Sequence, residues 1–426
     1  MNEFDIKKTV HSGPAVAYKK FVRQMKDWYN GGELPELAGQ DLRFVLDLQK
    51  KKLKSLGLEM KCDSSMADTG KFNTNCISFS DRLFINSIVA GNMNITRSVV
   101  NTQQQLNHNI ADIGLTAIIQ DLKDGTQPSD DMTLCCPHCG APSTLGELQA
   151  GCKHCGTHFL MNELYPKVMN YFINEHNDSA RNAAKNKHDL TILITACSLV
   201  MIPVGILAKI LFALLEGQSP NLIGIMSLGI ISGIFSGVML GGILFLFKKL
   251  FEVLGLMGKQ ARGGGKTVST LLRADKIKRH DPEFSSEYFR DKVMSLFRMI
   301  VYSQDVSELT CCKCRFPKRA ADIIDAQLHN FNINSCNIKD MVCDVEVTLF
   351  LDCLHYRNGK IVNKSDKFKM KMRKRIKAPT ELGFSFAAVS CSSCGASFDA
   401  RNVKACPYCG SEYLHEDHDW IITDLK

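Results

Sequence analysis

Two long uncharged segments near the middle of the chain restrict its fold more than any other feature. Nineteen uncharged residues separate Asp189 from Lys209, and twenty-six more run from Leu222 to Phe247. Each segment can cross a hydrocarbon core of roughly 30 Å at about 1.5 Å per helical residue. The alternative is a pair of buried helices in a soluble domain, but uncharged runs beyond about 18 residues are scarce there. The sequence therefore predicts a transmembrane hairpin over 189–249, with spans at about 190–215 and 222–247.

The charges around these segments predict their orientation. The connecting loop, EGQSPN, contains no Lys or Arg, whereas Lys185 and Lys187 precede the first segment and Lys248 and Lys249 follow the second. Cytoplasmic loops carry the excess of basic residues in membrane proteins. We therefore expect a multi-pass plasma-membrane protein with two spans and both termini in the cytosol.

Four glycines repeat at four-residue spacing in the second segment: Gly229, Gly233, Gly237 and Gly241. Small residues on one helix face allow two helix backbones to approach closely. This pattern predicts a glycine zipper that packs against the first span or against a second copy of the chain. The alternative is that membrane helices are simply rich in glycine.

Eight of the eighteen cysteines lie in Cys-x-x-Cys pairs, each followed by glycine. Twelve residues separate the first two pairs and eleven separate the last two, which is the spacing of zinc ribbons. Four thiolates close a tetrahedral shell with no open position, so we predict two structural zinc ions in a reducing compartment. The predicted ligands are Cys136, Cys139, Cys152 and Cys155 in ribbon 1, and Cys391, Cys394, Cys406 and Cys409 in ribbon 2.

Other cysteines and histidines are weaker candidates. Cys135 adjoins Cys136 and could replace it, while Cys343 and Cys353 alternate with Val and Leu as core residues would. His415 and His418 could bind metal, although a solvated acidic loop explains them better. The remaining residues are three histidines expected at the surface of ribbon 1 and three cysteines whose role stays open: His138, His154, His158, Cys311, Cys312 and Cys314.

The residues after 280 alternate in the manner of an α+β domain. Helical spacing follows Ser285 or Ser286, a candidate N-cap, and two strands of opposite alternation flank the turn residues Asn358–Gly359. One strand face is basic, with Lys367, Lys369, Lys371, Arg373 and Arg375. This row predicts a surface for anionic lipid or an acidic partner; the alternative is a solvated edge protected by lysines.

The lead-in Asp-Pro-x-Phe-Ser at Asp281, the helix phase, the strand order and the closing Trp420–Ile422 segment resemble one known domain. It is the C-terminal domain of the mitochondrial inner-membrane import-motor anchor and of its bacterial relatives. The resemblance covers about 281–425 and implies a cone-shaped fold of the nuclear-transport-factor-two type, with a pocket between helices and sheet. It also implies a non-enzymatic role in membrane-surface attachment and in binding protein or lipid. The chain departs from the family at 390–412, where ribbon 2 interrupts the final hairpin, so bacterial membrane proteins that combine this domain with zinc ribbons match more closely.

These patterns predict a domain order. Residues 1–130 form a mainly helical or diverged cone-like domain, 131–165 form ribbon 1, 166–188 form a linker, and a basic linker at 250–280 precedes the domain at 281–426. The segment 18–37 matches 290–309 at a constant offset, so the first part could be a second copy of the last. A separate helical domain is the default, because 60–130 does not show the matching strands and 101–120 could be helical.

The leading functional hypothesis is a non-enzymatic, membrane-anchored scaffold that presents zinc-stabilised cytosolic domains to protein or lipid partners. One alternative is a nucleic-acid-binding zinc-ribbon regulator, but the ribbon fingers are poor in Lys, Arg and aromatic residues. Another is an enzyme with a pocket in the cone fold. The inward strand positions read as apolar or Cys, with no pair of nucleophile and base among them.

Overall fold

The structure is a computed structural model that describes residues 13–66, 77–101, 108–174, 179–216, 222–376 and 379–426. The chain divides into two compact units. One unit consists of Met1–Glu175 and Thr267–Lys426, and the other of His176–Lys266. The first unit is α+β with antiparallel sheets, and the second contains the apolar helices.

The first half of the α+β unit, Pro14–Asn174, begins with two helices that pack on a sheet. These are α1 (Pro14–Tyr29) and α2 (Gln40–Ser55). Four strands follow: β1 (Leu58–Met66), β2 (Ile77–Ser80), β3 (Phe84–Asn101) and β4 (His108–Leu122). Ribbon 1 contains β5 (Thr133–Cys135), β6 (Pro142–Thr144) and α3 (Leu145–Ala150), and then α4 (Met161–Leu164) leads into β7 (Lys167–Asn174). The sheet order is β1–β3–β4–β7, with β2 also paired to β3.

The second unit contains α5 (Ser179–Leu215) and the larger part of α6 (Leu222–Lys278), which ends in the first unit. Leu190–Leu215 of α5 and Ile223–Phe247 of α6 are long and apolar enough to cross a membrane. In the most apolar window of α5 no residue is buried, and in that of α6 only 17% are buried. Both helices therefore expose apolar side chains over a length that could cross a membrane.

The second half of the α+β unit, Ser286–Leu425, begins with α7 (Ser286–Tyr302), and Ser285 caps this helix by accepting a hydrogen bond from Tyr288 N. Its strands are β8 (Ile323–Lys339), β9 (Val342–Arg357), β10 (Lys360–Arg375), β11 (Val389–Ser390), β12 (Ser397–Phe398) and β13 (Ile421–Leu425). The main sheet has the order β13–β10–β9–β8. As predicted, Asn358 and Gly359 form the two-residue turn between β9 and β10, both with positive φ.

The two halves share most of their path. In the first half, α1 and α2 precede four strands, of which β1, β3 and β4 are neighbours in the sheet, and ribbon 1 and β7 follow. In the second half, α7 precedes the neighbouring strands β8, β9 and β10, and ribbon 2 and β13 follow. Thus β7 pairs with β4, and β13 pairs with β10. Ribbon 2 thus lies between β10 and its closing strand β13, and ribbon 1 lies between β4 and β7.

The backbone hydrogen bonds repeat in detail. In each half, the segment after the helix forms a parallel bridge with the closing strand, through bonds of 2.7–2.9 Å: Leu37–Gly39 with Val168, and Cys311–Lys313 with Ile422. The register of the closing strand then shifts by one residue, leaving Met169 and Thr423 unmatched at equivalent places. These shared irregularities support duplication of one ancestral unit, since nothing in a generic sheet requires them.

Buried polar side chains join the two halves. Arg97 of β3 contacts Asp325 of β8 at 2.5 Å, with both side chains at most 2% exposed. Arg298 of α7 donates to Asn170 of β7 at 2.8 Å, and Lys292 lies near Asp41 of α2. One apolar core also runs through α7, ribbon 1 and the second sheet. The halves are therefore one folded body rather than two domains on a linker.

Several predicted segments differ in the structure. The helical interpretation of 1–130 is wrong beyond residue 55, because β1 to β4 occupy most of the described residues there, and β4 covers much of 101–120. The predicted linker 166–188 contains β7 and the start of α5. The predicted basic linker 250–280 lies largely within α6. Lys, Gln, Ala and Leu there favour helix strongly enough to outweigh the roughly 1 kcal/mol cost of each glycine.

Candidate metal centres and binding surfaces

The four cysteines predicted for ribbon 1 converge on one point. Cys136 Sγ lies 3.6 Å from Cys155 Sγ, and Cys139 Sγ lies 3.8 Å from Cys152 Sγ. In each knuckle the first cysteine accepts a hydrogen bond from the glycine four residues later, as Gly140 N does to Cys136 O at 2.8 Å. That glycine has φ of +77°, a conformation that other residues rarely adopt. The site could hold a metal ion.

Ribbon 2 has the same construction. Cys391 Sγ lies 3.6 Å from Cys409 Sγ, and Cys394 Sγ lies 3.7 Å from Cys406 Sγ. Gly395 and Gly410 repeat the positive φ, each at +73°. All of these separations exceed the roughly 2.05 Å of a disulfide. This cluster too could hold a metal ion.

A hydroxyl two residues after the last cysteine supports each cluster. Thr157 Oγ1 lies 3.4 Å from Cys155 Sγ, and Ser411 Oγ lies 3.2 Å from Cys391 Sγ. These hydrogen bonds lower the pKa of Cys155 to about 5 and that of Cys391 to about 5. Both effects favour the thiolate of these two residues, which is the form that binds metal, whereas burial raises the pKa of Cys136 in the first cluster.

The structure also places the weaker metal candidates. Cys135 is buried and donates to Ala387 O at 3.3 Å, outside the ribbon 1 cluster. Cys312 and Cys314 have their sulfurs 3.1 Å apart. Among the described residues, no group of three or more metal donors includes Cys311, Cys312 or Cys314. The histidines of ribbon 1 are exposed as predicted, namely His138, His154 and His158.

The prediction of a solvated acidic loop at 415–419 is wrong for most of its residues. His415 is buried and bonds to Ala400 O at 2.7 Å. Asp419 is 1% exposed and accepts from Tyr288 at 2.9 Å and from Lys292 at 2.6 Å. Sequence alone did not show these partners, because they come from α7 and from the ribbon itself. The segment therefore attaches ribbon 2 to the junction of the halves.

The basic row of β10 offers fewer unpaired cations than predicted. Lys367, Lys369 and Lys371 are exposed and have no ion-pair partner among the described residues. Arg373, in contrast, forms a bidentate pair with Asp344 at 2.8 and 3.1 Å. Arg375 contacts Glu416 at 3.3 Å. Three lysines rather than five cations are therefore available to a partner.

The four predicted packing glycines face α5. A Cβ atom on Gly229, Gly233 or Gly241 would lie 2.5–2.8 Å from a Cα atom of that helix, and one on Gly237 would meet Ser198. A Cβ on Gly242, in contrast, would have no heavy atom within 4 Å. The glycines thus permit close contact of the two helix backbones within one chain.

Two features were not anticipated from the sequence. The first is a cavity of about 350 Å³ at the junction of the halves, lined by residues such as Phe84, Tyr165, Glu381 and Phe384. The resemblance instead implied a pocket between helices and sheet. The second is His355, which is 2% exposed on the inner face of β9, where an apolar or cysteine residue was expected. Its position in the same alternating series as Cys353 was the available signal.

Comparisons with protein-family models, with curated proteins and with solved structures found no match for this chain.

Proposed function

We propose that this protein is a non-enzymatic, membrane-anchored scaffold or binding protein whose duplicated α+β unit is stabilised by two zinc ions. The observation that carries the proposal is the pair of exposed apolar helices, since no soluble fold would leave Leu190–Leu215 and Ile223–Phe247 uncovered. The bilayer covers them, and the α+β unit is available for partners in the cytosol.

The membrane part is a hairpin with both termini in the cytosol of a plasma-membrane protein. The absence of Lys and Arg from the loop EGQSPN supports this orientation. The glycine positions support a zipper between α5 and α6 of one chain rather than between copies, because their faces are already occupied by Ile194, Ser198, Ile202 and Ile206.

Zinc is the metal that suits both ribbons. Zinc bonds to thiolate at about 2.3 Å, so the sulfurs of a regular tetrahedron lie about 3.8 Å apart. The separations of 3.6–3.8 Å match that value. Four protein thiolates leave no position for substrate, so both ions are structural. Each one holds a closing strand near the strand that precedes the ribbon.

The partner-binding surface is the row of Lys367, Lys369 and Lys371, which suits anionic lipid or an acidic protein segment. The helix followed by a four-stranded antiparallel sheet supports an import-motor-anchor-like domain in the second half. In that family, binding rather than catalysis is the implied role. The glutamate and aspartates near the row limit its positive potential and argue against a nucleic-acid surface.

Membrane extraction and epitope access test the anchoring. The full chain should remain with membranes after alkaline carbonate washing. An epitope inserted at 217–221 should be accessible from outside intact cells, and one after Lys426 only after lysis. Release of the chain by carbonate would contradict membrane anchoring, and the reverse pattern of access would contradict the orientation.

A further inference from the structure

A third group of metal-ligating side chains lies outside the ribbons, on the inner face of the second-half sheet. Cys353 and His355 are two residues apart on β9, and Asp366 belongs to the neighbouring β10. One ligand atom from each lies within 4.8 Å of the others. Cys353 and His355 are buried, and Asp366 is 13% exposed. A sulfur, a nitrogen and an oxygen therefore converge at a site that is nearly closed to water.

Both ring nitrogens of His355 face carboxylates. Nδ1 lies 3.0 Å from Asp322 Oδ1, and Nε2 lies 2.6 Å from Asp366 Oδ2. A neutral imidazole carries a proton on only one nitrogen, so its other lone pair would face the second carboxylate. A positive charge between His355 and Asp366 removes that repulsion. A second ring proton fits the 2.6 Å contact as it stands, whereas a metal ion bonded to both atoms would hold them roughly 3.3 Å apart, so metal binding requires a small movement of Asp366.

The surrounding cations fix the geometry of both carboxylates. Lys364 Nζ lies 3.1 Å from Asp366 Oδ1, and Arg357 Nε contacts Asp322 Oδ2. Each carboxylate thus has one oxygen held at the surface and the other directed at the imidazole. A histidine whose Nδ1–H is held by a carboxylate presents Nε2 as a metal ligand, which is a common arrangement around bound zinc.

We propose that Cys353, His355 and Asp366 bind a third divalent metal ion, with Asp322 as the positioning residue for the imidazole. The thiol favours the metal. A ring proton would need only the carboxylates, whereas Cys353 adds a soft donor within 4.8 Å of the other two ligand atoms. Thiolate, imidazole and carboxylate together suit zinc. Three protein ligands leave one tetrahedral position for water, unlike the closed shells of the ribbons.

The zinc content of the full chain in detergent, after incubation with excess Zn²⁺ and removal of free metal, tests the proposal. We expect three zinc ions per chain by elemental analysis. Cys353→Ala and His355→Gln should each reduce the content to two. Cys343→Ala is the matched control and should retain three. Cys343 is equally buried on the same strand face, but it belongs to no metal-capable group within the described part of the chain.

Asp322→Asn separates positioning from ligation. It should still reach three zinc ions at saturation, but the affinity of the third should fall about 10- to 100-fold, as is usual when a carboxylate partner of a ligating histidine is lost. Should a variant of Cys353 or His355 fail to fold, the number of zinc equivalents that titrate into the folded wild-type chain still decides. Two zinc ions in the wild type, or three in Cys353→Ala, would overturn the proposal.

Discussion

The two halves of the α+β unit have the same strand path but use their helices differently. On α1 every buried residue is apolar, and the opposite face is exposed, so this helix covers one side of the first sheet. On α7 nearly every residue from Tyr288 to Tyr302 is buried, including Asp291, Lys292 and Arg298. Helix α7 lies at the junction of the halves, where it contacts α2, β7 and β8.

This difference shows how two similar halves can form a single body. The ribbons and closing strands make the same hydrogen bonds in both halves, because each closes its own sheet. The helix of the second half instead carries charged residues that pair with Asp41 and Asn170 of the first. Buried charges are stable only with partners, so these contacts fix one relative arrangement of the halves.

The first prediction has the largest expected effect, and it tests whether the two ribbons are equally important for the stability of the α+β unit. Cys152→Ala and Cys406→Ala should each remove one zinc ion and abolish cooperative unfolding of the whole α+β unit. Structural zinc contributes about 10 kcal/mol or more in small zinc-binding modules, which rivals the total stability of a domain. Zinc content and thermal unfolding by circular dichroism of the full chain in detergent measure both effects.

Cys343→Ala is the control for loss of a buried thiol, with an expected cost on the order of 1 kcal/mol. The two ribbons would not be equivalent if Cys406→Ala unfolded the α+β unit while Cys152→Ala did not. Ribbon 1 would then be an appendage, although its residues Cys136, Leu145 and Leu148 share the core with α7.

The second prediction concerns the junction. Asp325→Ala should reduce the free energy of unfolding by about 3–5 kcal/mol, because the buried Arg97 would lose its ion pair with Asp325. Burial raises the pKa of Asp325, but Arg97 and Arg298 outweigh that effect and hold it below its usual range. Denaturant unfolding of the full chain measures the change.

An ion pair at the protein surface serves as the control for the buried pair of Arg97 and Asp325. Lys26 and Asp63 are 2.7 Å apart, but their side chains are 40% and 82% exposed. Lys26→Ala should leave the unfolding midpoint unchanged, since exposed pairs contribute little. Equal effects of the two substitutions would mean that the halves are not held together by the buried charges.

The third prediction concerns a pH dependence of the free energy of unfolding that arises from Asp291 of α7. Burial raises the pKa of Asp291 from 3.8 to about 6. A carboxyl group whose pKa is raised in the folded state stabilises the fold below about pH 4. This contribution is lost as the pH rises through 6. Asp291→Asn should therefore match the wild type below pH 4 and exceed its stability above pH 6, by up to about 3 kcal/mol.

Unfolding free energies at pH 4, 5, 6 and 7 give this profile. Glu287→Gln, a partly exposed change on the same helix, serves as the control. A stability difference between Asp291→Asn and the wild type that does not vary with pH would show that hydrogen bonding to Asn170, rather than burial of charge, sets the cost.

Local patterns predicted much of the second half. Alternation placed Phe368, Met370 and Met372 inside, where they are buried, and the Asn358–Gly359 turn set the strand register. The strands of the first half were missed because Gly and Asn interrupt their alternation. Gly91 is one such residue, and it is needed because a Cβ there would lie 2.6 Å from the hydroxyl of Tyr18. That contact is invisible in the sequence.

The likeness of the two halves did leave a signal in the spacing. Twelve residues separate the last ribbon cysteine from the bridged residue in both halves, Cys155 from Val168 and Cys409 from Ile422. The ribbon ligands were predictable because their chemistry is local to each knuckle. The junction charges and the cluster at His355 were not, since their partners are distant in sequence and meet only in the folded unit.

The fourth prediction has the smallest expected effect. It concerns the basic strand surface of β10, which has no counterpart on β4. β4 contains no Lys or Arg, whereas its counterpart β10 presents Lys367, Lys369 and Lys371. The full chain in nanodiscs of neutral lipid should capture vesicles that contain phosphatidylserine. Changing these three lysines to Gln should weaken capture roughly ten-fold at low salt, because each cation near an anionic surface contributes about 1 kcal/mol and nearby acids offset part of it.

Lys50, Lys51 and Lys54 are the matched control, three exposed lysines on α2 of the first half. Their replacement by Gln removes the same net charge from a different face, so it should leave vesicle capture nearly unchanged. Equal losses from the two triple variants would indicate a general charge effect. Loss from the β10 variant alone would show that the second half has a binding surface that the first half lacks.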